Sequence, residues 1–200
     1  MLAAKYMDAA EKAITEVLKQ LEPVQKAARI IAQAATNHKK VFVSDPHGVV
    51  ESEIADKPGN LALFRSLQHS EESLGQGDVL ILSSFFPSEE RDLAIVAQAH
   101  SAGSRVITIS PGGRLAESAD QAILDSGVEL NGVLTTPGID QPFGPVNGIT
   151  HVLLLNMVQV ETAAVLLASG KTPIALPGAY LAGGSEKLIE AERKFTQQGF

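Results

Sequence analysis

Residues 78–110 read DVLILSSFFPSEERDLAIVAQAHSAGSRVITIS, and the succession of patterns in that stretch decides the fold. Asp78 to Ser83 and Arg105 to Ser110 are short, β-branched and almost continuously apolar. Runs of this kind predict central parallel strands, buried on both faces. Between them, SEERDLAIVAQAHSAGS (Ser88 to Ser104) carries the marks of a helix. Ser88 is the expected N-cap, Glu89 and Glu90 suit the positive first turn, and Gly103 is the expected stop. Strand, helix and strand at this spacing make a βαβ unit with a right-handed crossover.

The same logic extends in both directions. KVFVS (Lys40 to Ser44) and QAILD (Gln121 to Asp125) read as further parallel strands, and NLALFRSL (Asn60 to Leu67) as an edge strand. Upstream, Ala10, Ala13, Ile14, Val17, Leu18 and Leu21 recur at helical spacing, and Pro23 suits the first turn of a second helix. Downstream, Thr135 to Gly148 is rich in Gly and Pro and reads as a long loop before a buried helix over Ile149 to Ala168. The tail GGSEKLIEAERKF (Gly183 to Phe195) predicts a surface helix. No internal repeat or linker interrupts the chain. The expected fold is one α/β domain over residues 1–200, a three-layer sandwich with a central parallel sheet of flavodoxin/Rossmann-like type and two N-terminal helices.

Composition removes several functions. Apolar residues make up 44% and charged residues 20%, as in ordinary globular chains, and the formal charge of −7 opposes a broad nucleic-acid surface. The chain has no cysteine, which excludes disulfides and thiolate chemistry and fits a reducing cytoplasm. The N-terminus has early acids and no apolar signal core. Ile149 to Ala168 approaches bilayer length, but His151, Asn156, Gln159 and Glu161 are costly in hydrocarbon, so a buried or interfacial helix is expected rather than a membrane span.

In an open parallel sheet, ligands bind beyond the carboxyl ends of the strands, near the switch in strand order. Two turns qualify: SDPHGVVESE (Ser44 to Glu53) and SSFFPSEE (Ser83 to Glu90). Both lead into helices, whose free N–H groups favour an anion. Ser44, Asp45, Gly48, Ser83, Ser84 and Ser88 are therefore the candidate binding residues, with a phosphate as the natural guest.

At these positions the chain resembles the sugar isomerase (SIS) domain proteins, over nearly its whole length. Within them it is most similar to a bacterial branch whose first loop reads like G-T-G-H-S followed by an acidic helix. Here SDPHG keeps His47, and Glu53 falls at the helix acid. In GIDQPFGPVNGITHVLLLNMVQVE (Gly138 to Glu161), Gly138, Gln141, Gly144, Pro145, Asn156 and Glu161 match that branch. The resemblance implies a phosphosugar ligand, a homodimer or homotetramer, and a site contribution from Gly144, while Asn147 is a candidate from the polar face of the long helix. It also exposes departures. SIS phosphate loops read like S-x-S-G; Ser84 takes the first serine, but Phe86 replaces the second and Pro87 the glycine. Phe86 removes a hydroxyl donor and Pro87 a backbone N–H. Charged hydrogen bonds contribute ~1.5–3 kcal/mol each, so the loss weakens phosphate affinity by orders of magnitude. The turn is thus expected to keep its shape with a reduced cradle, and the two phenylalanines to form a lid, a contact between copies, or core.

An aldose–ketose isomerase needs a general base and a second group for the oxygen-bound protons. His47 at the mouth of the first strand is the leading candidate, and Glu53 the second, with Glu51 at similar spacing. His151 shares one helix face with Asn147, Thr150, Glu161 and Thr162, whereas Asn156 and Gln159 point elsewhere and are expected to be satisfied structurally. His69 and His100 read as surface positions. No metal site and no cofactor is expected, and the missing G-x-G-x-x-G argues against a dinucleotide enzyme. Two functions follow: a cytoplasmic phosphosugar-binding SIS protein with aldose–ketose isomerase activity, or a non-catalytic sugar-phosphate-binding or regulatory protein with a degenerate site.

Overall fold

The computed structural model describes residues 1–55, 57–68, 70, 72–125, 132–178, 180 and 182–200. Helix α1 (Leu2–Val17) meets helix α2 (Leu21–Thr36) through one 3-10 turn, and Pro23 lies in the first turn of α2, where its missing N–H breaks no helical bond. Strands β1 (Val41–Ser44), β2 (Phe64–Ser66), β3 (Val79–Ser83), β4 (Arg105–Ser110) and β5 (Gln121–Leu124) form one sheet in the order β2-β1-β3-β4-β5. Every neighbouring pair is parallel. This is the flavodoxin-like doubly wound order, whose switch point lies between β1 and β3.

Strand alternation sorts the core into two layers. Phe42, Leu80, Leu82 and Val106 face Val96 and Ala99 of α4 (Glu90–Ser101) and Leu115 of the short α5 (Gly113–Glu117). Val41, Val43, Val79, Ile81, Ile107 and Ile109 face the other way, against Ala27 and Ile31 of α2 and Leu154 and Val158 of α6 (Asn147–Ala168). All five residues of β3 are buried, as its uniform apolarity predicts. Helix α6 is long and apolar enough to cross a bilayer by length and composition alone. It packs instead on α2 and the sheet, and its Gln159 side chain bonds the Leu61 N–H at 2.5 Å and the Asn60 side chain at 2.8 Å. Helix α7 (Gly184–Gln198) forms the expected C-terminal helix, largely exposed, and reaches the β2 edge through Phe195.

Two local expectations are corrected. The segment after Leu134 is not an irregular loop: β6 (Leu134–Thr136) and β7 (Ile139–Phe143) form an antiparallel hairpin that leads into α6. Pro137 presets its turn and Gly138 supplies φ of +88°, so the Gly/Pro density marks one tight turn. Ser88 is not the cap of α4 either. Glu89, extended at ψ 123°, occupies that position and takes the Leu93 N–H on its carbonyl at 3.0 Å.

Candidate functional site

The turn after β1 is organised around a carboxylate of its own. Asp45 is fully buried, and its oxygens accept the backbone N–H groups of His47 at 3.0 Å, Val49 at 2.6 Å and Val50 at 2.6 Å. These amides belong to the turn that precedes the short helix α3 (Glu51–Ile54), the last of them at its N-cap residue Val50. The Asp45 N–H in turn donates to Glu51 Oε2 at 2.9 Å, while the Ser66 hydroxyl donates to Glu51 Oε1. Glu51 is therefore the α3 acid that faces inward. Glu53, the acid the sequence favoured, lies on the exposed side paired with Lys57. Gly48 completes the turn at φ of +70°, with its N–H on the Asp45 carbonyl at 2.9 Å.

The turn after β3 sends its two serines to opposite sides, as a strand must. Ser83 points toward α6, where its hydroxyl lies 2.8 Å from His151 Nδ1, and His151 Nε2 lies 3.0 Å from Asp125 Oδ2. Ser83, His151 and Asp125 are all buried. Ser84 points toward α4, donating to Asp92 Oδ2 at 2.5 Å and accepting the Phe86 N–H at 3.1 Å. Asp92, in the first turn of α4, is fully buried. A carboxylate there is favoured by the helix dipole and by the hydroxyl.

His47 spans the gap between these turns. Its Nε2 lies 3.3 Å from Asp92 Oδ2, within hydrogen-bond reach of the buried carboxylate. Arg91 also reaches Asp92, with Nε 3.3 Å from Oδ1. Its Nη2 is 3.2 Å from His47 Nδ1 and 3.1 Å from Nε2. An atom equidistant from both ring nitrogens lies over the ring face, so this contact is a stacked cation rather than a bond to one lone pair. Phe86, partly exposed, packs on the ring at 4.8 Å between centroids. Phe85 is buried, 6.0 Å from the His47 ring and 4.5 Å from the His151 ring. Phe85 thus fills the space between the two histidines and separates His151 from the rim.

The remaining expected residues distribute as follows. Ser44 is buried at the end of β1, and Ser88 is exposed beside Phe86 and Pro87 at the mouth. Asn147 lies in the first turn of α6, its Oδ1 accepting the Gly148 N–H at 3.1 Å. A Cβ at Gly148 would come within 3.3 Å of Val49, so the start of α6 borders the β1 turn. Gly144 packs elsewhere, against the Tyr6 ring of α1, where a Cβ would meet that ring at 3.1 Å. His100 is exposed and pairs with Asp120 at 3.2 Å, and His69 lies outside the described residues. The sequence reading missed Arg91 and Asp92. Their signal was positional: residues in the first turn of the crossover helix at a switch point face the ligand side.

No protein-family model matches the chain, and no curated protein matches it. Solved structures do. A phosphoheptose isomerase from Neisseria gonorrhoeae is 20% identical with a TM-score of 0.58, over 80% of this chain and 96% of that one. A Methanococcus jannaschii protein, for which a 3-hexulose-6-phosphate isomerase function was inferred, is 16% identical with a TM-score of 0.59, over 92% and 96%. The sugar isomerase domain of an RpiR transcription factor from Sphaerobacter thermophilus is 15% identical with a TM-score of 0.52, over 98% of both chains. The chain has the sugar isomerase domain fold.

Proposed function

We propose that this protein binds a sugar phosphate at the β1/β3 switch point and acts there as a binder or sensor, without turnover. The observation that carries this reading is the convergence of His47, Arg91 and Asp92 across the two turns. The fold supports the choice of ligand, since neighbours of known or inferred activity act on phosphosugars. Arg91 and Ser88 take the anion from side chains at the open rim, beside the His47 ring. The backbone amides of His47, Val49 and Val50 in the β1 turn are already engaged by Asp45, and the hydroxyls of Ser83 and Ser84 by His151 and Asp92. Isomerisation needs two proton-handling groups, and Glu53 faces away from the rim while Glu51 is bound to Ser66 and the Asp45 amide.

The second reading, a residual aldose–ketose isomerase, is favoured by one feature: the His47 ring sits at the rim with its Nε2 against the buried Asp92 carboxylate. In that reading His47 moves the proton, and His151 with Asp125 and Ser83 only supports the Phe85 wall. An NMR assay following hexose, heptose and amino-sugar phosphates decides between the two. Saturable binding with unchanged substrate spectra supports the sensor. Interconversion that disappears in His47→Ala establishes the isomerase. A cytoplasmic location, and self-association through α1 and α6, belong to the same proposal.

A further inference from the structure

We propose a second ligand site, for a small phosphomonoester, at the opposite rim of the sheet, in the groove between the start of β1, the β2 edge and α7. It is independent of the switch-point reading. A cavity of about 250 Å³ there is lined by His38, Lys39, Lys40, Arg65, Glu72 and Thr196 among others. Three permanent cations and a histidine thus face one carboxylate among the described residues, in a chain whose formal charge is −7.

Helix chemistry accounts for only part of this cluster. Lys39 and Lys40 follow the carbonyl end of α2, where cations are favoured in any case. Arg65 comes from β2, with its guanidinium carbon 5.0 Å from the centre of the Phe195 ring. Stacking on one side and an ion pair on the other hold the fork in place before any ligand arrives. The ion pair also shows that the spacing suits an oxyanion: the Glu72 carboxylate bridges Arg65 Nη1 at 2.7 Å and Lys40 Nζ at 3.4 Å. Burial pushes the Glu72 carboxyl up, but Arg65 and Lys40 outweigh it and hold it below its ordinary value. Lys39 and His38 have no ion-pair partner among the described residues, and the Lys39 stem lies across Gly77. Beyond Phe195 the groove continues into a cavity of about 400 Å³ that shares Arg65, Phe195 and Thr196 and adds Ser70 and Glu192. A phosphoryl group bound by the cations would leave the ester portion there, among hydroxyls and a carboxylate that suit a polyol.

Glu72 is the internal competitor in this arrangement, which makes the test directional. Inorganic phosphate and glucose 6-phosphate are titrated into the full chain and followed by amide chemical shifts. Saturable shifts at Lys39, Lys40, Arg65 and Thr196 are expected, with glucose 6-phosphate the tighter of the two. Glu72→Gln should tighten phosphate by about tenfold and Arg65→Gln weaken it by about tenfold, the scale of one charged hydrogen bond. Lys39→Gln, at an exposed position, gives the same direction of loss without risk to the fold, and Arg91→Gln leaves these shifts unchanged. The proposal is overturned by non-saturating shifts spread over all lysines, which mean an adventitious ion only, or by a Glu72→Gln affinity equal to that of the parent. Glucose 6-phosphate binding no tighter than phosphate rejects the ester assignment.

Discussion

Asp45 stands at the first position after β1 with three backbone amides on its two oxygens, so replacing it with alanine takes the acceptor from three donors, the Val50 N–H among them buried. Asp45→Ala should cost about 3 kcal/mol, and Asp45→Asn, which keeps one acceptor oxygen, about half of that. Urea denaturation measures both. The neighbouring acids give an internal control. Glu51→Gln disturbs two buried bonds and should lower the urea midpoint clearly, whereas Glu53→Gln loses only an exposed pair with Lys57, worth less than ~1 kcal/mol. The same contrast explains why this part of the site was hard to read in sequence. His47 was legible as a strand-end histidine, but Glu51 and Glu53 are separated only by the exact start of α3, a four-residue helix without a strong period. Asp92 follows Glu89 and Glu90 in the sequence with nothing to set it apart from them. Its burial depends on Ser84 and His47 arriving from other elements, which no local pattern encodes.

The β3–α4 connection is held at its far end by α5. Gly113 has φ of +67°, and a Cβ there would lie 2.8 Å from Pro87 Cβ and 2.9 Å from the Pro87 carbonyl oxygen. That oxygen accepts the Leu115 N–H at 2.9 Å. Gly113→Ala combines a disfavoured backbone conformation with a backbone clash, and should cost about 2–3 kcal/mol. It should also shift the amide resonances of Phe86 and Ser88, because the Pro87 turn has to move. Elements of this kind divide the sequence record. The strands were legible because burial on both faces leaves continuous apolar runs, and the helices because one face must be apolar. The β6–β7 hairpin was not: Pro142 sits within β7, and most of that strand is exposed, so it carries no alternation to detect. Its only sequence trace was Pro137–Gly138, which read as loop.

At the scale of the whole molecule, α1 and α6 leave apolar side chains uncovered. Leu2, Met7, Ile14 and Leu18 on the first helix and its turn, and Ile149, Val160 and Leu167 on α6, are exposed. A monomer rarely leaves such surface open. Sedimentation velocity should give a dimer or a tetramer, and Leu18→Glu combined with Val160→Glu should shift the chain toward monomer with its circular dichroism unchanged. A parent chain that sediments as a monomer at high micromolar concentration contradicts this part of the account. The central claim, an anion held by side chains at the switch point, is tested most directly by calorimetric titration with a panel of hexose, heptose and amino-sugar phosphates. The parent, Arg91→Gln and Arg65→Gln chains are compared. The account predicts at least one saturable ligand that Arg91→Gln weakens tenfold or more and Arg65→Gln leaves bound. Full retention of every ligand by Arg91→Gln, or no saturable binding across the panel, contradicts it.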